Sequence, residues 1–306
     1  MSRYEKEPLS FEVQADKLLC RGLQADRAML ITRLQAVSYY RLSGYLFPFR
    51  QRDANDQPLD DFVDGTTLDM IWERYNFDRR LRVLALDVIE RIEVAVRTRL
   101  IYHFAHAHGA FGHLEPNNLP GLKKISDYLE WRTKLVEETE QARNEQFVRH
   151  FFTKYGDTHR ELPIWMLCEL MSFGSLLTFA RGIAPPIQQT VARDFELPDE
   201  LFFSWLLSLY ALRNACAHHS RIWNREFGNA PKIPGKNKFP DWHTEPAFPN
   251  NRVGYLLTIC HFWLGKITPT SQWRKRLFEL FDKYTDLPLK SMGLPPDWRN
   301  HPLWKD

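Results

Sequence analysis

The amino-acid sequence predicts an all-α fold, and three features of the chain lead to that prediction. Apolar residues recur at steps of three and four along most of the 306 residues, which is the period of an amphipathic helix. Serine, threonine and aspartate stand where these segments begin, and glycine or proline stands where they end. Segments that alternate between apolar and polar residues are nearly absent. With 44% hydrophobic residues, the chain can bury a large core of helices.

Two capped helices, an aromatic helix and a polar loop are predicted before the longest helix. Ser10 and Asp26 are candidate N-caps, because a short side-chain oxygen accepts backbone N–H groups that a helix start leaves unpaired. Gly22 is suited to end the first helix, since glycine readily adopts a left-handed conformation. The predicted ranges are 10–22, 26–37 and 38–49 for the helices and 50–66 for the loop.

The longest predicted helix begins at Thr66 or Thr67 and reaches about His108. Its apolar residues form one stripe at steps of three and four, which favours a helix with one buried face. Glu93 and Arg97 lie four residues apart on this helix, and that spacing allows an ion pair.

The rest of the chain is predicted to contain further helices and two loops. Helices are expected after Pro163 and at Pro198, because proline is compatible with the first turn of a helix. The pair Pro185-Pro186 is expected to interrupt the helical structure. The predicted ranges are 109–121 for a loop, 122–155 for a charged helix with one break, 164–181 and 198–223 for two helices, 228–250 for a long loop, and 251–266 and 271–284 for two last helices before an irregular tail.

The composition argues against an exported or membrane-spanning protein. No apolar run approaches the ~20 residues that a membrane helix needs, and the charged residues 1–8 lack the apolar segment of a secretory signal. We therefore expect a cytoplasmic protein with reduced cysteines, which are Cys20, Cys168, Cys216 and Cys260. The net charge of +3 leaves room for local basic patches, but it does not by itself indicate a nucleic-acid partner.

Four histidines near the end of the long helix raise the question of a metal site, and they are His103, His106, His108 and His113. A helix places residues two apart on different faces, and no carboxylate stands at a metal-ligand spacing such as H-E-x-x-H. A phosphate-binding glycine loop and a serine-hydrolase elbow are also absent from the sequence. We expect neither a metal nor a cofactor.

The sharpest local motif is Leu212-Arg213-Asn214-Ala215-Cys216-Ala217-His218-His219. An arginine followed after four to six residues by a histidine is a pattern that chance also produces. Four arginines match it, and they are Arg97 with His103, Arg99 with His106, Arg143 with His150, and Arg213 with His218 or His219. The pattern alone therefore does not identify a site.

Helix geometry distinguishes the last of these matches. At about 100° per residue, Asn214 and His218 lie about 40° apart on one side of the predicted helix. If the helix continues, it carries a polar and basic stripe made of Arg213, Asn214, His218, Arg221 and Arg225. His219 falls on the apolar side and is expected to pack there or to orient its neighbour.

These residue types fit a metal-independent cleavage of RNA, which carries its own nucleophile in the 2′-hydroxyl. A neutral His218 can take the hydroxyl proton, and Arg213 can hold the phosphate through paired N–H donors. Asn214 can orient His218 or donate to a phosphate oxygen. The products would be a 2′,3′-cyclic phosphate and a 5′-hydroxyl. The alternative is that Arg213 and Asn214 satisfy the end of the helix and that His218 is an ordinary surface residue.

Several further stretches resemble, in order along the chain, signatures of the Abi-like family of the AbiD/AbiF type, which belongs to the HEPN superfamily. They are Val37-Ser38-Tyr39-Tyr40-Arg41-Leu42-Ser43-Gly44-Tyr45, Phe77-Asp78-Arg79-Arg80-Leu81-Arg82, Leu162-Pro163-Ile164-Trp165, Glu169-Leu170-Met171-Ser172-Phe173-Gly174, and the Arg213 segment. The resemblance implies a HEPN-type helical bundle with an N-terminal helical extension and C-terminal helices. It also implies a role in phage abortive infection or as a toxin-like ribonuclease.

The resemblance also implies roles for particular residues and for partners. Arg213, Asn214 and His218 take the active-site positions of the family, and His219 is a supporting residue. Glu93 and Arg97 match a polar pair that supports the site, although an ordinary ion pair is an equal interpretation. HEPN proteins typically act as homodimers with a composite site, so we expect a dimer, an RNA substrate and a protein or small-RNA antitoxin. The expected parts are 1–65 packed on the core, 66–227 as the HEPN-like core, and 228–306 as a basic loop with C-terminal helices, in one compact chain.

A basic loop with aromatic residues extends the expected RNA surface. Lys232, Lys236 and Lys238 stand near Phe239 and Trp242, and this combination can bind phosphates and stack bases. A solvated, mobile loop is the alternative. Tyr39, Tyr40 and Tyr45 either line an RNA groove or pack in the core. For the whole protein, the alternatives to a nuclease are a non-catalytic HEPN module that binds RNA or a partner, and a purely structural helical scaffold.

Overall fold

The computed structural model describes residues 7–305, and its secondary structure confirms the all-α prediction. The described residues contain twelve α-helices and a single two-stranded hairpin. They form two compact units. The first unit comprises the described residues up to Arg82 together with Leu277–Leu287, and the second comprises Val83–Arg276 and the described residues from Pro288.

The first helices of the chain begin at the predicted caps. The Ser10 hydroxyl accepts the N–H of Val13 at 3.3 Å, and the Asp26 carboxylate accepts that of Met29 at 2.8 Å. Both contacts satisfy N–H groups that a helix start otherwise leaves unpaired. The helices are α1 at Phe11–Cys20, α2 at Arg27–Val37 and α3 at Tyr39–Leu46.

A short β-hairpin replaces part of the predicted loop 50–66. Strand β1 (Arg50–Arg52) pairs antiparallel with strand β2 (Pro58–Phe62). The Asp53 carboxylate closes the turn by accepting the backbone N–H groups of Asn55 and Gln57, both at 2.8 Å. The loop prediction was wrong here because these strands are too short for an alternating pattern, and their pairing depends on the turn.

Helix α4 spans Leu68–His108, as the sequence predicted. The Thr67 hydroxyl caps it by accepting the N–H of Met70 at 3.2 Å. The boundary between the two compact units lies within this helix, after Arg82. The units therefore divide the chain differently from the three expected parts.

A buried polar cluster ties α3 to the first part of α4. The Tyr45 hydroxyl donates to the Asp78 carboxylate at 2.6 Å, and the Arg82 guanidinium donates to the same oxygen. All three residues are almost fully buried. Burial raises the pKa of Tyr45, and the adjacent Asp78 charge raises it further. Two of the family-like stretches thus meet in this cluster, which we call the Asp78 cluster.

The helices of the second unit follow the predicted order with three differences, which concern two helix starts and one helix end. Beyond α4, they are α5 at Ile125–Gln141, α6 at Gln146–Tyr155, α7 at Ile164–Leu170, α8 at Phe173–Gly182, α9 at Pro185–Asp194, α10 at Asp199–Ala217 and α11 at Val253–Ile267. Helix α12 at Trp273–Lys283 begins in this unit and ends in the first. Short 3-10 helices lie at Phe47–Phe49, Gly112–Leu114, Pro116–Asn118, Pro240–His243, Leu289–Met292, Trp298–Asn300 and Pro302–Trp304.

Two of the differences concern serine and proline. The helix predicted at 164–181 is interrupted, because the Ser172 hydroxyl accepts the Ser175 N–H at 3.2 Å and begins the new helix α8. The Pro185-Pro186 pair starts α9 instead of only separating two helices. Proline is tolerated there because the N–H groups of the first helical turn have no partner within the helix, so the missing N–H of proline costs nothing. The single break predicted within 122–155 is confirmed between α5 and α6.

Candidate functional site

Helix α10 carries the Arg–His motif and is anchored by an apolar stripe. Trp205, Leu209, Leu212 and Cys216 are buried, and their spacing of four, three and four residues places them on one side of the helix. Between Leu201 and Leu212 the helix carries no charged residue, and Arg213 and Asn214 follow near its end. The last turn is therefore held from one side by the core, while its other side reaches the surface.

The end of α10 is a tight backbone cap centred on His219. The Ser220 N–H donates to the Ala215 carbonyl at 2.8 Å, and the His219 N–H donates to the Cys216 carbonyl at 3.0 Å. This pair of hydrogen bonds is a Schellman motif, which requires a left-handed residue after the helix. His219 has a φ of 56°, an uncommon conformation for a residue other than glycine. The prediction that this helix runs to Trp223 was therefore wrong.

The cap leaves the three proposed catalytic side chains at one helix end. His218 is exposed, and Arg213 and Asn214 are half-buried. The Arg213 guanidinium donates to the Asn214 side-chain oxygen at 3.4 Å. The Asn214 side-chain oxygen is thus directed to Arg213, which lies five residues before the exposed His218 imidazole.

The early helix end overturns the predicted basic stripe through Arg221 and Arg225. Both residues lie beyond α10, so helical periodicity no longer aligns them with His218. The chain instead enters the core at Ile222 and Trp223. Arg221 is half-buried before this anchor, and Arg225 is exposed after it, with its guanidinium carbon 5.4 Å from the Phe227 ring centre.

His219 does not lie on the apolar side of the helix, where the sequence placed it. The left-handed backbone at this residue directs the chain away from the helical path, and the side chain is exposed. The core-packing prediction for His219 was wrong because it assumed a continuous helix. Two adjacent exposed imidazoles therefore follow the last turn of α10.

Arg97 holds the joint between α7 and α8 rather than forming only an ion pair. Its guanidinium contacts the Glu93 carboxylate at 2.8 Å and donates to the Met171 carbonyl at 3.0 Å and to the Cys168 carbonyl. These carbonyls belong to the end of a helix, where cations are favoured and carbonyl groups lack helical partners. Arg97 therefore makes more contacts than the ordinary ion pair with Glu93 that the sequence also allowed.

A ring contact connects this joint to the helix that carries the motif. Phe173, two residues after Met171, packs edge-to-face on Tyr210 with ring centres 5.6 Å apart. Tyr210 lies one turn before Arg213 on α10. Contacts thus connect the α7–α8 joint to α10 through Phe173 and Tyr210, and the supporting role of Glu93 and Arg97 stays a prediction. Sequence reasoning did not single out Phe173 and Tyr210, because only the packing of α8 on α10 brings them together.

Lys232, in the long loop, contacts the beginning of α10, far from the Arg–His motif at the end of that helix. Its ammonium forms an ion pair with Glu200 at 2.6 Å, and its backbone N–H donates to the Ser204 hydroxyl at 2.8 Å. Glu200 and Arg213 are thirteen residues apart on one helix, which corresponds to about 20 Å at 1.5 Å per residue. The structure therefore does not bring Lys232 into the candidate active site.

The long loop 228–250 is packed against the unit. Trp242 is buried and packs on Trp205 with ring centres 4.9 Å apart. The predicted stacking of bases on Trp242 is therefore wrong, whereas most other residues of the loop are exposed, as a solvated loop requires. Lys236 and Lys238 remain exposed, and the Lys238 ammonium lies 5.6 Å from the half-buried Phe239 ring.

The three tyrosines of the first unit and the four histidines of the second have mixed environments. Tyr45 is in the core, Tyr40 is 90% exposed, and Tyr39 accepts a hydrogen bond from Arg21. His103 contacts Asp194 at 2.8 Å, whereas His113 is fully buried.

Within residues 7–305, the structure contains no group of three or more potential metal ligands and no helix that meets the length and hydropathy needed to cross a membrane.

A comparison with family models matches residues 32–224 to the model described as Abi-like protein. The match covers well over half of the 306 residues. The chain belongs to the Abi-like family. Comparisons with curated proteins and with solved structures find no match.

The residues that match the family model include the Arg–His motif of α10 and end shortly after it. Arg213, Asn214, His218, His219 and Arg221 lie inside the match, whereas Arg225 and the three loop lysines lie after its last residue. Membership of the Abi-like family suggests a part in abortive infection. The Asp78 cluster and the joint held by Arg97 also lie within the matched residues.

Proposed function

We propose that this Abi-like protein is a metal-independent endoribonuclease that acts in phage abortive infection or as a toxin-like agent of growth arrest. His218 takes the proton of an RNA 2′-hydroxyl, which then attacks the adjacent phosphorus. Arg213 stabilises the negative charge that develops on the phosphate oxygens, and Asn214 positions Arg213. The products carry a 2′,3′-cyclic phosphate and a 5′-hydroxyl.

The observation that carries this proposal is the end of α10. The Schellman cap formed at the left-handed His219 leaves the His218 imidazole exposed at the end of the helix that carries Arg213, whose guanidinium donates to Asn214. A non-glycine residue in this conformation is strained by about 1 kcal/mol or more, and such strain concentrates at functional sites. An imidazole that can act as a base and an arginine that can bind a phosphate at one helix end support the proposal.

A second copy of the chain completes the site in this proposal. By helical periodicity, the directions of Arg213 and of His218, the residue that follows α10, differ by about 140°, so one motif does not surround a phosphate. Two motifs facing each other supply a second imidazole, which can protonate the leaving 5′-oxygen. We therefore propose a homodimer with one composite site, and a protein or small-RNA antitoxin that restrains it.

The second candidate function is RNA or partner binding without cleavage. It is favoured by the exposure of His218, because a solvated imidazole lacks the enclosed surroundings that strengthen catalytic electrostatics. In that case, Arg213 and Arg225 bind phosphates, and His218 contributes only a polar contact.

The decisive experiment incubates the purified full chain with RNA in EDTA and analyses the ends of any fragments. We expect cyclic-phosphate ends, and a rate about 10²- to 10⁴-fold lower for His218→Ala. Arg213→Ala should lose activity to a similar degree. A matched control is His150→Ala, because Arg143 and His150 also fit the motif spacing but Arg143 pairs with Glu140.

The outcomes separate the candidate functions. RNA binding without cleavage, under conditions where light scattering shows the dimer, would favour the binding module. Cleavage or toxicity that survives His218→Ala would exclude the proposed base. An unchanged circular dichroism spectrum in all variants is the control for folding.

A further inference from the structure

A pocket of about 370 Å³ lies in the second unit, outside the residues that match the family. Its walls are helix α11, the 3-10 helix at Pro240–His243 and the C-terminal residues near Leu303. The volume falls within the range of small-molecule sites, which is roughly 300 to 1,000 Å³. Of the loop residues that the sequence singled out, Trp242 lines the pocket, and Phe239 packs on the lining residue Phe262.

One wall of the pocket is aromatic. The half-buried Phe262 ring lies 6.3 Å from the rings of both Phe239 and Trp242. Beside it, His261 stacks on Trp304 with ring centres 4.9 Å apart and planes within 4°. Trp242 and Trp304 are buried, so the half-buried rings of Phe262 and His261 are the aromatic surfaces of this wall on which a nucleobase can stack.

The other wall carries cations. Lys266, Arg274 and Lys305 line the pocket with a single carboxylate, Asp241. Arg274 is oriented by donating to the Trp304 carbonyl at 2.8 Å. Lys266 pairs with Glu196 at 2.5 Å and lies 5.6 Å from the Phe262 ring, whereas Lys305 is exposed. The lining therefore favours an anion next to an aromatic surface.

A glycine keeps the pocket open. Gly265 lies inside α11, where glycine costs about 1 kcal/mol relative to alanine. A Cβ at this position would meet no atom within 4 Å, so packing within the described residues does not require glycine there. Any larger side chain at this position would instead extend into the pocket space.

We propose that this pocket binds a nucleoside phosphate. The base stacks on Phe262, the phosphate contacts Lys305 and Arg274, and Asp241 accepts hydrogen bonds from the ribose hydroxyls or an exocyclic amine. The Thr258 hydroxyl takes no part, because it already donates to Gly254 and accepts from Trp304. The same chemistry occurs in a free mononucleotide and in the terminal nucleotide of an RNA. This proposal does not depend on RNA cleavage by the α10 motif.

Titration calorimetry on the full chain tests the proposal with four 5′-mononucleotides, adenosine and inorganic phosphate as separate probes. We expect saturable binding of at least one mononucleotide, and at least tenfold weaker binding of adenosine and phosphate. Gly265→Leu should reduce the affinity at least tenfold by filling the pocket. Gly235→Leu is the matched control, because its Cβ also meets no atom within 4 Å and it lies outside the pocket lining.

A second variant and a second probe keep the test decisive. Lys305→Glu changes an exposed residue and should weaken phosphate-dependent binding whether or not Gly265→Leu folds. A 3′-phosphorylated RNA tetranucleotide, measured in the Arg213→Ala background, distinguishes an RNA end from a free nucleotide. Absence of binding by all nucleotides and by the RNA would overturn the proposal. So would binding that Lys305→Glu and a folded Gly265→Leu leave unchanged.

Discussion

The Asp78 cluster of the first unit and the end of α10 in the second unit are both arginine sites within the family match, yet their surroundings are opposite. In the cluster, Asp78, Arg82 and Tyr45 are almost fully buried. At the end of α10, His218 is exposed and Arg213 is half-buried. A buried charge network must be satisfied for the fold to form, whereas exposed polar side chains contribute little to stability. The first site therefore serves the fold, and the second is available for chemistry.

The largest expected effect on stability comes from breaking the buried cluster. Asp78→Ala leaves Arg82 without this carboxylate partner, and removing one member of a buried ion pair costs about 3 to 5 kcal/mol. Urea unfolding should show this loss. Arg79→Ala, at an exposed neighbour, and Arg213→Ala should each change the free energy of unfolding by less than about 0.5 kcal/mol. A large loss of unfolding free energy in Arg213→Ala would contradict this contrast between the two sites.

Arg97→Ala tests a site of intermediate burial. The substitution removes the hydrogen bonds to Cys168 and Met171 and the pairing with Glu93, so we expect a loss of about 2 to 3 kcal/mol. Arg99→Ala is the matched control, because Arg99 is exposed and lies 3.7 Å from Asp194. If both variants unfold at the same urea concentration, the α7–α8 joint does not depend on Arg97.

His113 predicts a pH dependence of stability. Burial lowers the pKa of His113 from 6.5 to about 3, with a smaller contribution from the Arg132 charge. Between these pH values the unfolded state binds a proton that the folded state does not, so stability falls as the pH falls, by about 1.4 kcal/mol per unit. From pH 6.5 to 5, the loss should be about 1.6 kcal/mol, because the unfolded histidine is only half protonated at pH 6.5.

Comparing variants isolates this contribution from that of other titrating groups. Urea unfolding of His113→Phe should lack this part of the pH dependence, while His106→Gln, at an exposed residue, should retain it. Chemical-shift titration of wild-type His113 provides an independent check. A midpoint near 6.5 for this residue would contradict the prediction even if His113→Phe does not fold.

The smallest expected effect is a gain in stability at the proposed active site. His219→Gly should stabilise the protein by about 1 kcal/mol, because glycine adopts the left-handed conformation without a Cβ clash. His218→Gly should show no such gain, since its φ of −85° is accessible to any residue. Thermal unfolding of both variants measures the difference. A destabilised His219→Gly would mean that the His219 side chain contributes more to stability than the strain removes.

Sequence patterns located most helices because their signals are local. Ser10, Asp26 and Thr67 cap helices through contacts three residues away, and a long apolar stripe identifies α4. The end of α10 was missed because a histidine, rather than a glycine, takes the left-handed position. A histidine at that position has no sequence signal of its own, so the predicted stripe continued past Ala217.

The sequence by itself determined the all-α class, most helix starts, the family and the Arg213–His218 motif, since each depends on residue type and short spacing. Only the tertiary structure decided which polar residues are buried and which distant segments meet. It brought Tyr45 to Asp78, tied Arg97 to the end of α7 and placed Lys232 away from the motif. Burial and long-range contacts arise from the packing of whole elements, so Arg82 is buried in an ion pair in one unit, whereas Arg213 is half-buried at a surface helix end in the other.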